Sequence, residues 1–231
     1  KFCASLALVG KPRYRIVMQV RPILYSFRRC PYAIRSRMAL AAANIVVELR
    51  EVVLRDKPAL LKAVSPKATV PVMVLPDGQT LEESLDIIDW ALNQSDPLNW
   101  TRRDVSVTDW IRRCDDELKP WLDRYKYADR FPEASQAHYR QQVELQLHHM
   151  ENTLEAHCWL GGRSASVADV AVFPFVRQFA AVDPHWWAQA PYPNVRVWLA
   201  SWLESPLFAS VMKKYPRWEP EQPVTLFPTN S

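Results

Sequence analysis

Residues 22–43 read PILYSFRRCPYAIRSRMALAAA, and this stretch predicts a strand that is followed closely by a helix. Pro22 to Ser26 is a short apolar run that predicts a strand, and Pro31 to Ala43 carries apolar residues at helical spacing. Pro31 suits the first turn of a helix, where its missing N–H is no loss. Cys30 is therefore expected between the end of a strand and the start of a helix.

The segments that follow continue this alternation of strands and helices. Val70 to Leu75 is nearly continuously apolar, which indicates a strand buried on both faces. Asp77-Gly78 then predicts a tight hairpin turn, so the next strand should be antiparallel to it. The other predicted elements are strands at Ile45–Val53 and Gln79–Leu81 and helices at Lys57–Val64 and Glu83–Asn93. The predicted order is β-α-β-α-β-β-α.

The second half of the chain has only helical patterns. Pro120 should bend or interrupt the first of these helices. The predicted helices are Val107–Tyr127, Ala134–Cys158, Val167–Ala180, Pro193–Leu203 and Pro206–Lys213. We therefore divide the chain into an N-terminal extension (1–17), an α/β domain (18–94), a linker (95–106), an all-α domain (107–217) and an irregular tail (218–231).

The composition argues against several classes of protein. The 231 residues are 48% apolar and 23% charged, as in an ordinary globular protein. The net charge of +4 comes from scattered Lys and Arg, so we expect no nucleic-acid partner. The four glycines form no nucleotide-binding loop and the five histidines form no metal motif, so we expect no metal. The apolar run Phe2–Gly10 is too short to span a membrane, and we expect no membrane partner.

The four cysteines are Cys3, Cys30, Cys114 and Cys158, and they form no C-x-x-C pair. In a chain of this length, such widely separated cysteines do not indicate a disulfide framework. We therefore expect a reducing, cytoplasmic setting.

Cys30 is the candidate reactive residue. A thiol at a helix N-terminus faces unpaired N–H groups and the positive end of the helix dipole. Arg28 and Arg29 add positive charge. Such settings lower the pKa of a cysteine from about 8.5 to roughly 3.5–7.5, and the thiolate is the form that attacks disulfides. The alternative interpretation is a buried structural cysteine.

Two further motifs suit a ligand in the α/β domain. Pro71 lies within an apparent central strand, where a proline removes a ladder hydrogen bond. A cis Val70-Pro71 bond would leave the backbone of Val70 free to bind a ligand. Glu83-Ser84 begins a helix, and exposed N–H groups at such a position suit a carboxylate. An ordinary N-cap is the alternative interpretation of Glu83-Ser84.

The all-α domain contains a motif that we interpret as structural. Ser166-Val167-Ala168-Asp169 has the form of a capping box with Asp in the last position. It should start a buried helix, and we do not expect Ser166 or Asp169 to contact substrate.

Together these motifs resemble a known family. From about Met18 to Trp218 the sequence resembles the cytosolic glutathione transferases, most closely the cysteine-type omega-like and bacterial glutaredoxin-like members. The resemblance implies a thioredoxin-like α/β N-terminal domain, with a mixed four-stranded sheet and three helices, followed by an all-α C-terminal domain. The stretches in register are Tyr25-Ser26-x-Arg28-x-Cys30-Pro31-Tyr32-Ala33, Lys57-Pro58, Val70-Pro71, Glu83-Ser84 and Ser166-x-x-Asp169.

The resemblance implies glutathione as a co-substrate and assigns a role to each matched residue. Lys57 would pair with the glycine carboxylate, and Val70, preceding a cis Pro71, with the cysteinyl backbone. Glu83 would bind the γ-glutamyl ammonium and Ser84 the γ-glutamyl carboxylate. The family also implies a homodimer.

Cys30 would be the catalytic residue of a monothiol cycle. Glutaredoxins often carry a second cysteine three residues on, but position 33 here is Ala. Cys30 would therefore take up glutathione as a mixed disulfide, and a second glutathione would release it. The other substrate, a disulfide or an electrophile, would lie between the domains against the helix that begins at Val107. The candidate residues for its pocket are Tyr32, Trp110, Arg113 and Phe173.

Three functions remain open at this point. The first is thiol transfer or glutathione-dependent reduction through Cys30. The second is conjugation of glutathione to electrophiles, for which Tyr25 or Ser26 could supply the activating hydroxyl. The third is a non-enzymatic interaction module on the same scaffold, against which the joint presence of Cys30, Lys57, Glu83 and Ser84 argues.

Overall fold

The computed structural model describes residues 21–101 and 105–229, so the predicted extension 1–17 lies outside the described residues. The N-terminal domain follows the predicted order β-α-β-α-β-β-α. Its elements are β1 (Ile23–Ser26), α1 (Pro31–Ala42), β2 (Val47–Glu51), α2 (Ala59–Val64), β3 (Val72–Val74), β4 (Thr80–Leu81) and α3 (Ser84–Gln94). The C-terminal domain is helical, as predicted. It contains α4 (Val105–Arg112), a π-helical segment (Arg113–Leu118), α5 (Lys119–Lys126), a short 3₁₀ turn (Ala128–Arg130), α6 (Gln136–Ala156), α7 (Val167–Ala180), α8 (Pro184–Gln189), α9 (Pro193–Leu203) and α10 (Pro206–Val211).

The sheet is mixed and has the order β4-β3-β1-β2-β5. β1 pairs with β2 in parallel and with β3 in antiparallel fashion, and β4 is antiparallel to β3, as the Asp77-Gly78 turn predicts. The four predicted strands are therefore present. β1 is the central strand, so Cys30, which follows it, lies at the middle of one end of the sheet, where α1 begins.

A fifth strand comes from the tail, which was predicted to be irregular. β5 (Leu226–Phe227) pairs antiparallel with β2, and the N–H of Leu49 donates to the carbonyl of Thr225 at 2.8 Å. Phe227 is fully buried. The prediction was wrong here because a strand of two residues is too short to show a periodic pattern in the sequence. The strand forms because β2 would otherwise be an unpaired edge.

The first predicted helix of the C-terminal domain is interrupted by a π-helical segment. The N–H of Lys119 donates to the carbonyl of Cys114, five residues earlier. Pro120 is the next residue after Lys119. It has no N–H to donate, and in a regular α-helix its ring would clash with the carbonyl of the residue four positions earlier. The widened turn precedes Pro120, and the next helix begins around it. The predicted interruption at Pro120 is confirmed, and its form is a π-helical turn.

The predicted capping box is present at the start of α7. Ser166 Oγ accepts a hydrogen bond from the N–H of Ala168, and Asp169 Oδ2 accepts one from the N–H of Ser166. The fully buried Asp169 carboxylate also accepts from the N–H of Leu160 at 2.8 Å and from Trp198 Nε1 at 2.9 Å. This carboxylate therefore joins the loop before α7 to α9.

A buried arginine joins the two domains. Arg35 on α1 is fully buried, and its Nε donates to the carbonyl of Ala171 on α7 at 2.6 Å. Its two terminal nitrogens donate to the Asp115 carboxylate at 2.7 and 3.1 Å.

Among residues 21–101 and 105–229, none of the helices combines the length and the apolar composition needed to span a membrane.

Candidate active site

Cys30 lies in the turn between β1 and α1, as its sequence context predicts. It is the N-cap residue of α1, its N–H donates to the carbonyl of Phe27 at 3.0 Å, and its carbonyl accepts from Ile34 at 2.9 Å. Its Sγ lies 3.5 Å from the carbonyl oxygen of Val70, to which the thiol donates. The N–H groups of Tyr32 and Ala33 interact with the sulfur from the first turn of the helix.

Burial decides the acidity of the Cys30 thiol. The loss of hydration raises the pKa of Cys30 above its ordinary value, although the N–H groups of Ala33 and Tyr32 favour the thiolate. The cations that favour it are Arg37 and Lys119. The prediction of a lowered pKa was therefore wrong, because the depth of the side chain is a tertiary property that the helix-start pattern does not carry.

Arg37 holds the turn that carries Cys30. Its buried guanidinium donates to Ser26 Oγ and to the carbonyls of Phe27 at 3.4 Å and Arg28 at 2.6 Å. The N–H of Arg28 donates to Glu51 Oε1 at 2.6 Å. The backbone before Cys30 is thus fixed from both sides by charged groups.

A cavity of about 550 Å³ adjoins the thiol on the side of β3 and α3. Val70-Pro71 is cis, as predicted, and Glu83 is the N-cap residue of α3. The Glu83 carboxylate pairs with Lys67 at 3.0 Å, and both side chains are largely exposed. The structure brings all six predicted residues of this site to the cavity: Cys30, Lys57, Val70, Pro71, Glu83 and Ser84.

A second cavity, of about 860 Å³, opens on the other side of the thiol, between the two domains. Arg29 contributes to it from the turn before α1, Lys119 and Lys126 from α5, and Arg177 from α7. Cys30, Tyr32 and Leu54 line both cavities. Cys30 therefore stands where the two cavities meet.

Two family models match the chain. The model "Glutathione S-transferase, N-terminal domain" matches residues 24–99, and "Glutathione S-transferase, C-terminal domain" matches residues 108–201. The chain belongs to the glutathione S-transferase family. The first match spans the domain of Cys30 and the second spans α5 and α7, so both cavities lie within the matched region.

The chain is similar to several known proteins. Glutathione S-transferase omega-1 from Mus musculus is 24% identical over 196 residues, covering 81% of this chain and 78% of that one. Glutaredoxin 2 from Escherichia coli (strain K12) is 30% identical over 91 residues, covering 39% and 42%. A glutathione S-transferase from Methylobacillus flagellatus, solved with glutathione bound, is 25% identical with a TM-score of 0.70, covering 82% and 98%.

Three of the four predicted acceptor residues of this glutathione S-transferase lie elsewhere. Trp110 and Arg113 line a small gap against α6, and Arg113 pairs with Asp109 at 2.7 Å. Phe173 is fully buried and packs edge-on against Phe208, with ring centroids 4.8 Å apart. The helices that carry these three residues are present as predicted, but the three side chains do not face the larger cavity. That cavity is lined instead by α5, which follows the π-helical segment, and by residues in the last turn of α7.

Tyr32 is the one predicted acceptor residue that reaches the cavity. Its ring packs edge-on against Phe175 at 4.9 Å, and the guanidinium of Arg35 lies 5.2 Å from its centroid. Burial, and then the charge of Asp115, raise the pKa of Tyr32 to about 12. The hydroxyl therefore stays protonated at neutral pH.

Sequence reasoning missed several residues of these cavities. Lys67 and Asp115 line the smaller cavity, and Lys126 and Arg177 line the larger one. Lys67 lies in a polar loop, three residues before Val70. The residues around it in the sequence do not indicate that it pairs with Glu83, which is 16 residues further along the chain. Arg177 could have been found from the apolar run of α7, since it and Gln178 are the two residues of that helix that are not buried.

Proposed function

We propose that this protein is a glutathione-dependent thiol transferase that reduces disulfides through Cys30. The observation that carries the proposal is the position of the thiol between two cavities. One cavity has the size and polar groups that suit glutathione, and the other leaves room for an acceptor next to the same sulfur. A transfer of sulfur bonds between two bound molecules needs this arrangement.

The proposed cycle has two exchange steps. The Cys30 thiolate attacks the glutathionyl sulfur of a mixed disulfide between glutathione and an acceptor thiol. The acceptor thiolate leaves and takes up a proton, and Cys30 becomes bonded to glutathione. The thiolate of a second glutathione attacks that glutathionyl sulfur, releases the Cys30 thiolate and leaves as glutathione disulfide. In total the mixed disulfide and one glutathione give the reduced acceptor thiol and one glutathione disulfide.

A monothiol cycle fits the other cysteines. Position 33 is Ala, one turn along α1. Cys114 is buried and its pKa is raised to about 12 by burial, and the exposed Cys158 lies after α6. Among the residues described here, neither of these cysteines lines a cavity that contains Cys30. The resolving thiol would therefore come from glutathione.

The smaller cavity would hold the glutathione that bonds to Cys30. Lys57 would pair with the glycine carboxylate and the backbone of Val70 with the cysteinyl peptide group. Glu83 would bind the γ-glutamyl ammonium, and Ser84 at the start of α3 the γ-glutamyl carboxylate. The exposed pair of Glu83 with Lys67 is weak in water, so the ligand ammonium can replace Lys67 at low cost.

The two hydroxyls considered for conjugation to electrophiles are both held by arginines. Tyr25 is buried and its hydroxyl accepts a hydrogen bond from Arg50 at 2.7 Å. Ser26 is fully buried and its Oγ accepts from Arg37. Within the described residues, neither side chain lines a cavity with Cys30. These contacts favour thiol transfer over conjugation.

The test compares wild type with Cys30→Ser and Cys30→Ala in two glutathione-dependent assays, disulfide reduction and conjugation to an aryl halide. Cys158→Ser is the matched control, because it removes an exposed thiol outside both cavities. We expect both Cys30 variants to lose disulfide reduction while the control keeps it. A wild type that conjugates well, reduces no disulfide and is unaffected by Cys30→Ala would overturn the proposal.

We also propose a homodimer working in a reducing cytoplasm. The free thiols of Cys30, Cys114 and Cys158 support a reducing setting. Light scattering after gel filtration should give about twice the chain mass of 26.8 kDa. A mass of one chain at micromolar concentration would contradict the dimer and leave the thiol-transfer proposal standing.

A further inference from the structure

The larger cavity has a strong excess of positive charge. Its lining residues include four cationic side chains and a single carboxylate. The carboxylate, Asp123, is paired with Lys119 one turn away on α5. Three cations are left around the space beside Cys30: Arg29, Lys126 and Arg177.

None of these three cations has an anionic partner within the part of the chain that the structure describes. Each lies near an aromatic ring instead. Arg29 is 5.6 Å from the ring of Phe27, and Lys126 is 4.9 Å from that of Tyr127. The guanidinium of Arg177 lies 5.5 Å from the ring of Phe208. The rings remove water from one side of each cation without neutralising it.

Arg177 is the most constrained of the three. It is half-buried at the end of α7, and burial together with repulsion from Arg28 lowers its pKa. An anion bound beside Arg177 would offset this repulsion. The arrangement is thus complementary to a ligand with negative charge.

We propose that the acceptor of this enzyme is a small anionic compound, one whose thiol, released when Cys30 attacks the mixed disulfide, is part of a molecule with a carboxylate or a similar acidic group. This inference rests on the proposed function, since it concerns the molecule that exchanges with Cys30. A cavity of about 860 Å³ is in the size range of small-molecule sites. The same cations would stabilise the thiolate that leaves when Cys30 attacks the glutathionyl sulfur.

The test uses three disulfides of similar size that differ in charge. They are 3,3′-dithiodipropionate, bis(2-hydroxyethyl) disulfide and cystamine, each preincubated with glutathione so that the mixed disulfide is present. Glutathione disulfide formation is followed with glutathione reductase and NADPH, and the uncatalysed rate is subtracted. We expect kcat/KM to fall in the order carboxylate, hydroxyl, ammonium, with about a tenfold span at low salt. The span should shrink as ionic strength rises, because salt screens these charges.

The variants Arg177→Gln and Lys126→Gln locate the effect. Each should lower kcat/KM for the carboxylate compound about threefold or more and leave the hydroxyl compound within about twofold. Lys214→Gln is the matched control, since it removes the same charge from an exposed position that does not line the cavity.

Equal kcat/KM for the three compounds, or a preference for the ammonium compound, would overturn the inference. The proposed function would stand in that case, because turnover of the neutral compound would remain. Absence of turnover with all three compounds would instead overturn the proposed function, and the inference with it.

Discussion

The Arg37 guanidinium donates a 2.6 Å hydrogen bond to the carbonyl of Arg28, two residues before Cys30. Arg37 is itself buried on α1, and burial lowers its pKa to about 10, so it stays charged at neutral pH. It also favours the Cys30 thiolate through its charge. One side chain therefore contributes both to the backbone conformation of the turn that carries Cys30 and to the electrostatics of the thiol.

Replacing Arg37 should lower both the stability of the protein and the reactivity of Cys30. Arg37→Met removes the side-chain donor to the Arg28 carbonyl and to the Ser26 hydroxyl, so we expect a loss of about 2–4 kcal/mol in the free energy of unfolding. The pKa of Cys30 should rise further, since a favourable cation is lost. Arg37→Lys keeps the charge and should shift the pKa less. Denaturant unfolding and the pH dependence of Cys30 alkylation measure the two effects.

The exposed Arg163 provides the control for this pair of variants. Arg163→Met should leave both measurements unchanged. An Arg37→Met protein with wild-type stability and an unchanged Cys30 pKa would contradict the role given to Arg37.

The reactivity of Cys30 in the free protein should increase with pH. Because burial raises the pKa of this thiol above its ordinary value, the thiolate fraction is small at neutral pH and grows as pH rises. We expect the alkylation rate of Cys30 by iodoacetamide to increase from about pH 7 to about pH 9 without a plateau. Peptide mass spectrometry follows Cys30, with the exposed Cys158 as an internal reference. A plateau already reached below about pH 7 would show a depressed pKa.

The pair formed by Arg35 and Asp115 should be costly to break from one side. Asp115→Ala leaves the fully buried Arg35 without its anion, so we expect a loss of about 2–4 kcal/mol in unfolding free energy. Adding Arg35→Met should recover part of that loss, because no buried charge then remains. Asp116→Ala, at the exposed neighbour in the same π-helical segment, is the control. Equal stability of the Asp115 and Asp116 variants would contradict a structural role for the pair.

Much of this fold follows from local patterns. The strand before Cys30, the helix after it, the hairpin at Asp77-Gly78 and the capping box at Ser166 each rest on a few neighbouring residues, and the structure contains all of them. The larger cavity does not follow in this way. It is lined by residues of α5, which follows the π-helical segment, and by the two residues of α7 that are not buried, and their approach to Cys30 is set by packing between domains.

The smaller cavity was more predictable than the larger one for the same reason. Lys57, Val70, Glu83 and Ser84 each lie at the start of an element or beside it, so the topology of the sheet brings them to Cys30. Lys126 and Arg177 approach from the other domain, 96 and 147 residues beyond Cys30 in the sequence. No local pattern relates them to the thiol.

The fifth strand should stabilise the edge of the sheet. Phe227 is fully buried in β5, and Phe227→Ala should lower the free energy of unfolding by about 3–5 kcal/mol. The amide of Leu49, which donates to Thr225, should exchange with solvent faster in this variant. The control is Val224→Ala, at a position that is 62% exposed. Unchanged stability and exchange in Phe227→Ala would contradict the pairing of β5 with β2.

Trapping of glutathione on Cys30 would show the mixed disulfide of the proposed cycle itself. The protein is incubated with glutathione disulfide, quenched with acid and digested, and the peptide masses are recorded without reductant. We expect one glutathionyl group on Cys30, removed on addition of glutathione at a rate no slower than turnover, and absent from Cys30→Ser. A protein that reduces disulfides with Cys30 unmodified, or with the glutathionyl group only on Cys158, would contradict it.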